Sequence, residues 1–363
     1  MRTSSTATRP YPKPAAPAFS PRDLDLDLVG RRQDTPEVVT FDFELAPGQP
    51  PLRHLPGQAL ALTIPMTDGP AIRTFTIASS GLDPNRLSLT IKAAADGHAT
   101  RFIHEHLRMG DRLRARGPFG RFSLVHHPGE PLLLLGAGSG FTPMMSMLRW
   151  LHGRGEGVDV AVVQVARRVE DLLFTDELAA IDGAMPNLTR ADCVTTPEAG
   201  RSWSGFRGRP DRRLLRVMVP SLERRTVFCC GPAPFMEAMA RIHRAEGGDP
   251  GCFLTETFGA VRPMTPAVFP TEAKETVGWT ARFRGRSFAA PEGVVLTQAA
   301  AAANLRVPTG CQEGLCGTCK LKLLEGQVHM EHHGGLTARE EADGHILACC
   351  STPLSDVVLA DLG

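Results

Sequence analysis

The chain has 363 residues, 42% hydrophobic and 22% charged, enough for two or three domains with their own buried cores. Forty basic residues face 39 acidic ones, and a net charge of +1 excludes the electrostatic footprint of a nucleic-acid or anionic-membrane binder. Nine cysteines, none before Cys193 and five between Cys311 and Cys350, are too unevenly placed for a disulfide framework and point to metal ligation.

Residues 1–22 are read as a disordered tail: five prolines fall in the first 21 residues, and hydrophobic patterning is weak. The N-terminus lacks the apolar stretch of a secretory signal, and no apolar run approaches the roughly 18 residues that span a bilayer. A cytoplasmic enzyme is expected. From 23 to 128 the chain gives short, β-branched, alternating runs separated by glycine and proline: VVTFDFEL (38–45), ALALTI (59–64), RTFTIA (73–78) and LSLTIK (87–92). Such spacing predicts an antiparallel sheet or barrel. The rhythm changes from 129 to 260. A buried strand LLLLG (132–136) leads into a glycine-rich turn and a helical stretch, with further strands at 158–165 and 226–231. This is the alternation of a parallel α/β sheet. Residues 261–275 hold three prolines and are read as a linker, after which a third unit runs from 276 to 363.

That third unit contains the strongest chemical signal. Cys311, Cys316 and Cys319 follow a C-x4-C-x2-C pattern, and 29 residues separate Cys319 from the cysteine pair 349–350. This is the plant-type spacing in which four thiolates hold a 2Fe–2S cluster. Gly310, Gly314 and Gly317 would let the loop fold tightly and turn backbone N–H groups towards sulfur. A structural zinc site is the alternative, but zinc sites favour two separate C-x2–4-C units, and the spacings here share Cys316 and so make only one pair. The segment I-L-A-C-C-S resembles the ferredoxin pattern L-A-C-x-S, which selects Cys349 as fourth ligand and leaves Cys350 as a neighbouring thiol.

R-T-F-T-I-A-S from Arg73 resembles the flavin motif R-x-[YF]-[ST]-x-x-S of the ferredoxin–NAD(P)+ reductase superfamily. The resemblance implies Arg73 at the flavin diphosphate, Phe75 against the ring and Thr76 as donor near N5. G-H-A-T from Gly97 resembles the same family's phosphate turn, in which Gly97, Ala99 and Thr100 would meet the pyrophosphate at a helix start. G-A-G-S-G-F-T-P follows a buried strand, as a dinucleotide turn requires, but has Phe141 at the third glycine position. The form G-x-G-x-x-T-P is the one this family shows, with Gly136 and Gly138 allowing close approach and Thr142 and Pro143 opening the helix. C-C-G-P resembles the family's C-G-P motif, placing Cys230 beside the nicotinamide, with Gly231 and Pro232 shaping the turn; a buried strand cysteine is the alternative. T-E-T-F-G resembles the E-x-F segment and puts Glu256 near the flavin edge, a solvated carboxylate being the alternative. W-S-G-F-R-G-R from Trp203 resembles a further family element whose arginines could face a phosphate. Arg167 and Arg168 lie where adenosine-ribose recognition occurs, without deciding between NADH and NADPH.

The resemblance covers nearly the whole chain beyond the tail. It implies a multidomain fold: a six-stranded antiparallel β-barrel flavin domain, a parallel α/β nucleotide domain and a β-grasp ferredoxin domain. The implied catalytic residues are Thr76, Cys230 and Glu256, the metal ligands Cys311, Cys316, Cys319 and Cys349. The implied cofactors are FAD and the 2Fe–2S cluster, with NAD(P)H as cosubstrate. The implied activity is electron transfer from NAD(P)H to a partner, a Rieske-type demethylating oxygenase, with a hybrid-cluster protein or a phenylacetyl-CoA epoxidase-type oxygenase as alternatives. A redox-sensing or carrier module is the reading from a different class. Neither nucleic acid nor membrane is an expected partner, and the chain is expected to be monomeric. H-M-E-H-H (329–333) is read as a solvated loop, not a metal site.

Overall fold

The computed structural model describes residues 21–67, 69–93, 97–196, 203–258, 278–312, 314–332 and 335–362. The expected linker and nearly all of the expected tail lie outside the described residues. The first sheet begins one residue earlier than the expected barrel boundary, with β1 (Arg22–Thr35). There aspartate alternates with leucine, and the period of two decides the faces. Leu24, Leu26 and Leu28 are buried, while Asp23 and Asp27 meet Arg116 and Arg112 of the neighbouring strand at 3.0 and 2.6 Å. The sheet continues with β2 (Val38–Leu45), β3 (Ala59–Ile64), β4 (Ala71–Thr76), β5 (Arg86–Lys92), helix α1 (His98–His106) and β6 (Arg112–Phe119). Its order is β4-β3-β6-β1-β2-β5, all antiparallel. An Ile77–Leu89 bridge joins the end of β4 to β5 and so links the two edges. Phe41, Phe43, Leu26, Leu28, Leu60, Leu62 and Ile77 fill the interior.

The second sheet comprises β7 (Leu132–Ala137), α2 (Thr142–Gly153), β8 (Val160–Ala166), α3 (Thr175–Ala184), β9 (Leu188–Val194), β10 (Phe206–Arg207), α4 (Arg212–Met218), β11 (Thr226–Cys230), α5 (Ala233–Ala245) and β12 (Phe253–Glu256). The order β10-β9-β8-β7-β11-β12 is parallel throughout. β7 reads as an apolar run, and β8 as one interrupted only by Gln164, which bonds the Leu173 backbone, because both faces are covered. The chain leaves β7 in one direction for β8–β10 and returns to its other side for β11 and β12. That reversal opens a crevice at the strand carboxyl ends, where ligands bind in open α/β sheets.

The third unit holds β13 (Gly278–Phe283), β14 (Arg286–Pro291), α6 (Leu296–Ala302), β15 (Lys320–Glu325), β16 (Val328–Met330), α7 (Ala338–Ala342), β17 (His345–Leu347), β18 (Ser351–Pro353) and β19 (Val357–Ala360). Five strands are ordered β14-β13-β19-β15-β17, and β16 pairs separately with β18. The β13–β14 hairpin turns through Arg284 and Gly285, both at positive φ, the conformation that matches strand twist. The expected solvated loop at 329–333 is corrected in part: His329 and Met330 belong to β16, because their backbone pairs with Thr352 and Ser351. His332 bonds Glu341 at 3.0 Å, and His333 lies outside the described residues.

Candidate functional site

The cluster loop, from Cys311 to Cys319, precedes β15 and is held by its own backbone. The N–H groups of Leu315 and Cys316 donate to Cys311 Sγ, and that of Cys311 to Cys316 Sγ, each at 3.3 Å. The Gly314 N–H reaches the Cys349 thiol. The thiols form two pairs: Cys311 bonds Cys316, and Cys319 bonds Cys349. The bond to Cys311 brings the Cys316 thiol down to about 6 despite its burial. The Cys319 and Cys350 thiols both bond Cys349, which holds the Cys349 thiol down and pushes theirs up. Among the described residues no three such side chains converge on a point suited to one metal ion. Two thiol pairs suit two irons instead, and N–H donors aimed at sulfur are the surroundings that a 2Fe–2S cluster requires. Space is equally specific. A Cβ at Gly310 would lie 2.7 Å from Cys316 Sγ, and one at Gly314 2.8 Å from Cys350 Sγ. Cys350 is half-buried, with its thiol on Cys349 and on the Leu347 carbonyl.

This loop does not stand apart from the first sheet. Leu315 and Cys316, both buried, pack with Ala61 of β3 and Phe119 of β6, and Ile72 of β4 and Cys311 lie against them. The motif residues Arg73, Phe75 and Thr76 follow on that same β4. Alternation sends Arg73 and Phe75 to one face and Thr76 to the other. Phe75 packs partly on the barrel core, and Arg73 donates to the Ile72 carbonyl at 2.8 Å. The Thr76 hydroxyl is buried and has no partner among the described residues. A buried hydroxyl left so costs about 1–3 kcal/mol, which a flavin heteroatom would recover. Gly97 stands at the N-cap of α1 and has no side chain with which to cap it. A helix start of this kind presents backbone N–H groups to an anion. Ala99 is buried against the core, and Thr100 Oγ1 donates to the Gly97 carbonyl at 3.2 Å.

The nucleotide turn is brought together by register. Gly136 pairs Cys230, and Cys230 pairs Glu256, so three motif residues form one row across β7, β11 and β12. The turn itself lies on the end of β11: a Cβ at Gly140 would sit 2.5 Å from the Cys230 carbonyl oxygen. Gly138, at φ +55, needs the left-handed conformation that glycine permits. Thr142, buried, closes the turn by donating to the Ser139 carbonyl at 3.0 Å, and Pro143 occupies the first turn of α2, where a missing N–H costs nothing. Cys230 is fully buried. Glu256 faces the barrel, its Oε1 lying 4.0 Å from where a Gly120 Cβ would be.

A cleft of about 760 Å³ runs from this row across both sheets, lined by Gly138, Gly140, Gly231 and Pro232 on one side and Thr35, Glu37 and Lys92 of the barrel on the other. Arg167 lines it, 3.7 Å from Glu37, and so does Arg209 of the Trp203 segment. Arg168 turns to Glu170 at 3.3 Å, and Arg207 to the Trp203 carbonyl at 2.8 Å. Three residues at the site escape motif reading. Phe258, 42% exposed, lines the cleft two residues after Glu256; its aromatic in an E-x-F segment was the available signal. Ser146 and Arg149 of α2 bond the barrel, and in sequence they are ordinary residues of an amphipathic helix.

Three family models match the chain in series: an oxidoreductase FAD-binding domain over 25–124, an oxidoreductase NAD-binding domain over 134–241 and a 2Fe–2S iron–sulfur cluster binding domain over 282–354. The stachydrine N-demethylase reductase subunit Stc4 of Rhizobium meliloti is 38% identical, over 92% of this chain and 95% of that one. The glycine betaine monooxygenase reductase subunit of Chromohalobacter salexigens is 36% identical, over 90% and 92%. Among solved structures, phthalate dioxygenase reductase aligns at a TM-score of 0.55 and 24% identity over 94% of this chain and 98% of that one, a likeness of fold. Among the described residues no helix is long and apolar enough to cross a membrane. Paired thiols in one loop and a glycine turn at the sheet's switch point thus meet relatives that align over nine-tenths of the chain, and the chain belongs to the family of oxidoreductases that join FAD-binding, NAD-binding and 2Fe–2S domains as reductase subunits of monooxygenases.

Proposed function

We propose that this protein takes hydride from NAD(P)H and delivers single electrons to the terminal oxygenase of a Rieske-type N-demethylating system in the cytoplasm. The observation that supports it most is the packing of Leu315 and Cys316 on Ala61 and Phe119, beside Ile72 on the strand that carries the flavin motif. When bound, FAD supplies two-electron acceptance and one-electron release, and the 2Fe–2S cluster one-electron transfer. Cys311, Cys316, Cys319 and Cys349 are its ligands. Arg73 and the α1 start, Gly97 to Thr100, hold the flavin phosphates, and Thr76 donates a hydrogen bond to the ring. Gly136, Gly138, Thr142 and Pro143 form the floor of the dinucleotide site, and Gly231 and Pro232 its wall. Cys230 excludes water from the reacting end, and Glu256 brings a carboxylate there to hold a proton. The N-demethylating acceptor is supported by relatives 38% and 36% identical that serve stachydrine and glycine betaine enzymes.

The test is reconstitution. The purified chain, loaded with FAD and cluster, is mixed with NADH or NADPH and the oxygenase component of a stachydrine or glycine betaine system. Expected is nucleotide oxidation coupled to formaldehyde release. Brisk ferricyanide reduction without transfer to either oxygenase would reject the acceptor class while leaving the reductase chemistry standing.

A further inference from the structure

The nucleotide turn and the flavin strand belong to different sheets, and hydride transfer depends on the distance between them. One helix touches both. Thr142, Ser146, Arg149 and Gly153 lie along a single stripe of α2, at the three- and four-residue spacing that shares a helix face. Thr142 ends the nucleotide turn. Ser146, fully buried, donates to the Ser79 carbonyl at 2.7 Å and accepts the Gly57 N–H at 3.1 Å. Arg149 donates to the Ala78 carbonyl at 2.7 Å. Its other nitrogens bond both Glu177 carboxylate oxygens, at 2.7 and 2.6 Å, and its guanidinium lies 5.0 Å from the Phe174 ring. The arginine is thereby fixed from α3 before it reaches the barrel. At Gly153 a side chain would collide with Leu82. The barrel partners Ala78, Ser79 and Leu82 directly follow the flavin strand β4, and Gly57 precedes β3, its neighbour in the sheet.

We propose that Ser146 and Arg149 are positioning residues for hydride transfer: they bolt the end of the flavin strand to the helix that carries the nucleotide turn, and so set the donor–acceptor distance. Neither residue touches a cofactor in this assignment. It rests on the reading of Arg73–Thr76 as the flavin site and of Gly136–Thr142 as the nucleotide site. Both Ser146 bonds go to backbone groups, so a hydroxyl is what the position needs. Arg149 needs a fork, since a lysine cannot hold Glu177 through two nitrogens and also reach Ala78.

The test uses the full chain loaded with FAD and cluster, in anaerobic stopped-flow with NADH or NADPH, whichever reduces it faster. Ser146→Ala and Arg149→Gln are expected to retain wild-type flavin content and a nucleotide saturation constant within about twofold, while flavin reduction slows by about 10-fold in each and about 100-fold together, the cost of a misplacement near 1 Å. The deuterium isotope effect on turnover with 4-deuterated nucleotide should rise, because hydride transfer becomes the slow step. Ser146→Thr should restore the rate. Flavin-replete variants with wild-type reduction rate and isotope effect overturn the proposal. So does loss of flavin in both variants that Ser146→Thr does not relieve, since that marks a purely structural role. Failure of the underlying site reading shows separately, as full flavin retention in Arg73→Ala.

Discussion

The two redox sites of this molecule are made in opposite ways. The cluster pocket draws three of its four thiols from one short loop, and its chemistry resides in side-chain sulfur. The proposed hydride seam draws Thr76, Gly136, Cys230 and Glu256 from four strands in two sheets, and much of what it offers is space: no Cβ at Gly140, and no partner for the Thr76 hydroxyl among the described residues. A site of the first kind fails when a ligand is removed. A site of the second kind fails when something is added or displaced.

Four substitutions press on that contrast. The largest effect is expected at Cys316→Ser, which removes a proposed ligand and also a thiol that packs on Ala61 and Phe119. Transfer to a protein acceptor should disappear, with loss of cluster absorbance, while NAD(P)H:ferricyanide activity is largely kept. Equal loss of both activities would show that the two sites do not fail independently. Next is Gly140→Ala, where one methyl would meet the Cys230 carbonyl oxygen at 2.5 Å. Overpacking of this kind costs about 1–3 kcal/mol, so nucleotide saturation should weaken by 10-fold or more, read by stopped-flow, without change in cluster content. Unaltered nucleotide kinetics would mean that the turn relaxes away from β11. Thr76→Ala is milder: losing one aligned donor should slow flavin reduction by about 10-fold. Because the hydroxyl bonds nothing among the described residues, the cofactor-free chain should melt at the wild-type temperature, and a clear drop would place a partner on Thr76 outside them.

The fourth substitution concerns acid. His54 is buried, which pushes its imidazole down to about 4 even though a bond to the Leu55 carbonyl works against this. The folded barrel therefore holds it neutral. The stability this confers is complete above about pH 6.5 and is lost as pH falls towards 4, a span worth about 3 kcal/mol for a fully buried group. The temperature of flavin release should fall across that window in the wild type, and His54→Asn should flatten the fall. An unchanged slope would assign the acid sensitivity elsewhere.

The same contrast explains what could be read from sequence. Cysteine spacing shows the cluster because the loop is local, and the glycine turn shows the nucleotide site because it sits between an apolar strand and a helix start. Row formation across Gly136, Cys230 and Glu256 depends on parallel register, which no local pattern encodes. β1 was legible only as the beginning of a β-rich region, although its aspartate–leucine alternation carries the period of two. His329 and Met330 looked like loop because their pairing partners are more than twenty residues away, at Thr352 and Ser351. Ser146 and Arg149 were silent because each is ordinary in an amphipathic helix, and only the docked barrel gives their polar atoms a purpose.

One consequence lies in how the long cleft can breathe. Along α2 it is sewn shut by buried bonds through Ser146 and Arg149, out of reach of dissolved ions. At its far lip it is held by Arg167 and Glu37, both exposed and 3.7 Å apart, a contact worth at most about 1 kcal/mol and weakened by salt. If the two sheets part, the opening would therefore start at the Arg167–Glu37 lip, where rising ionic strength weakens the contact, and not along α2, where the bonds are buried.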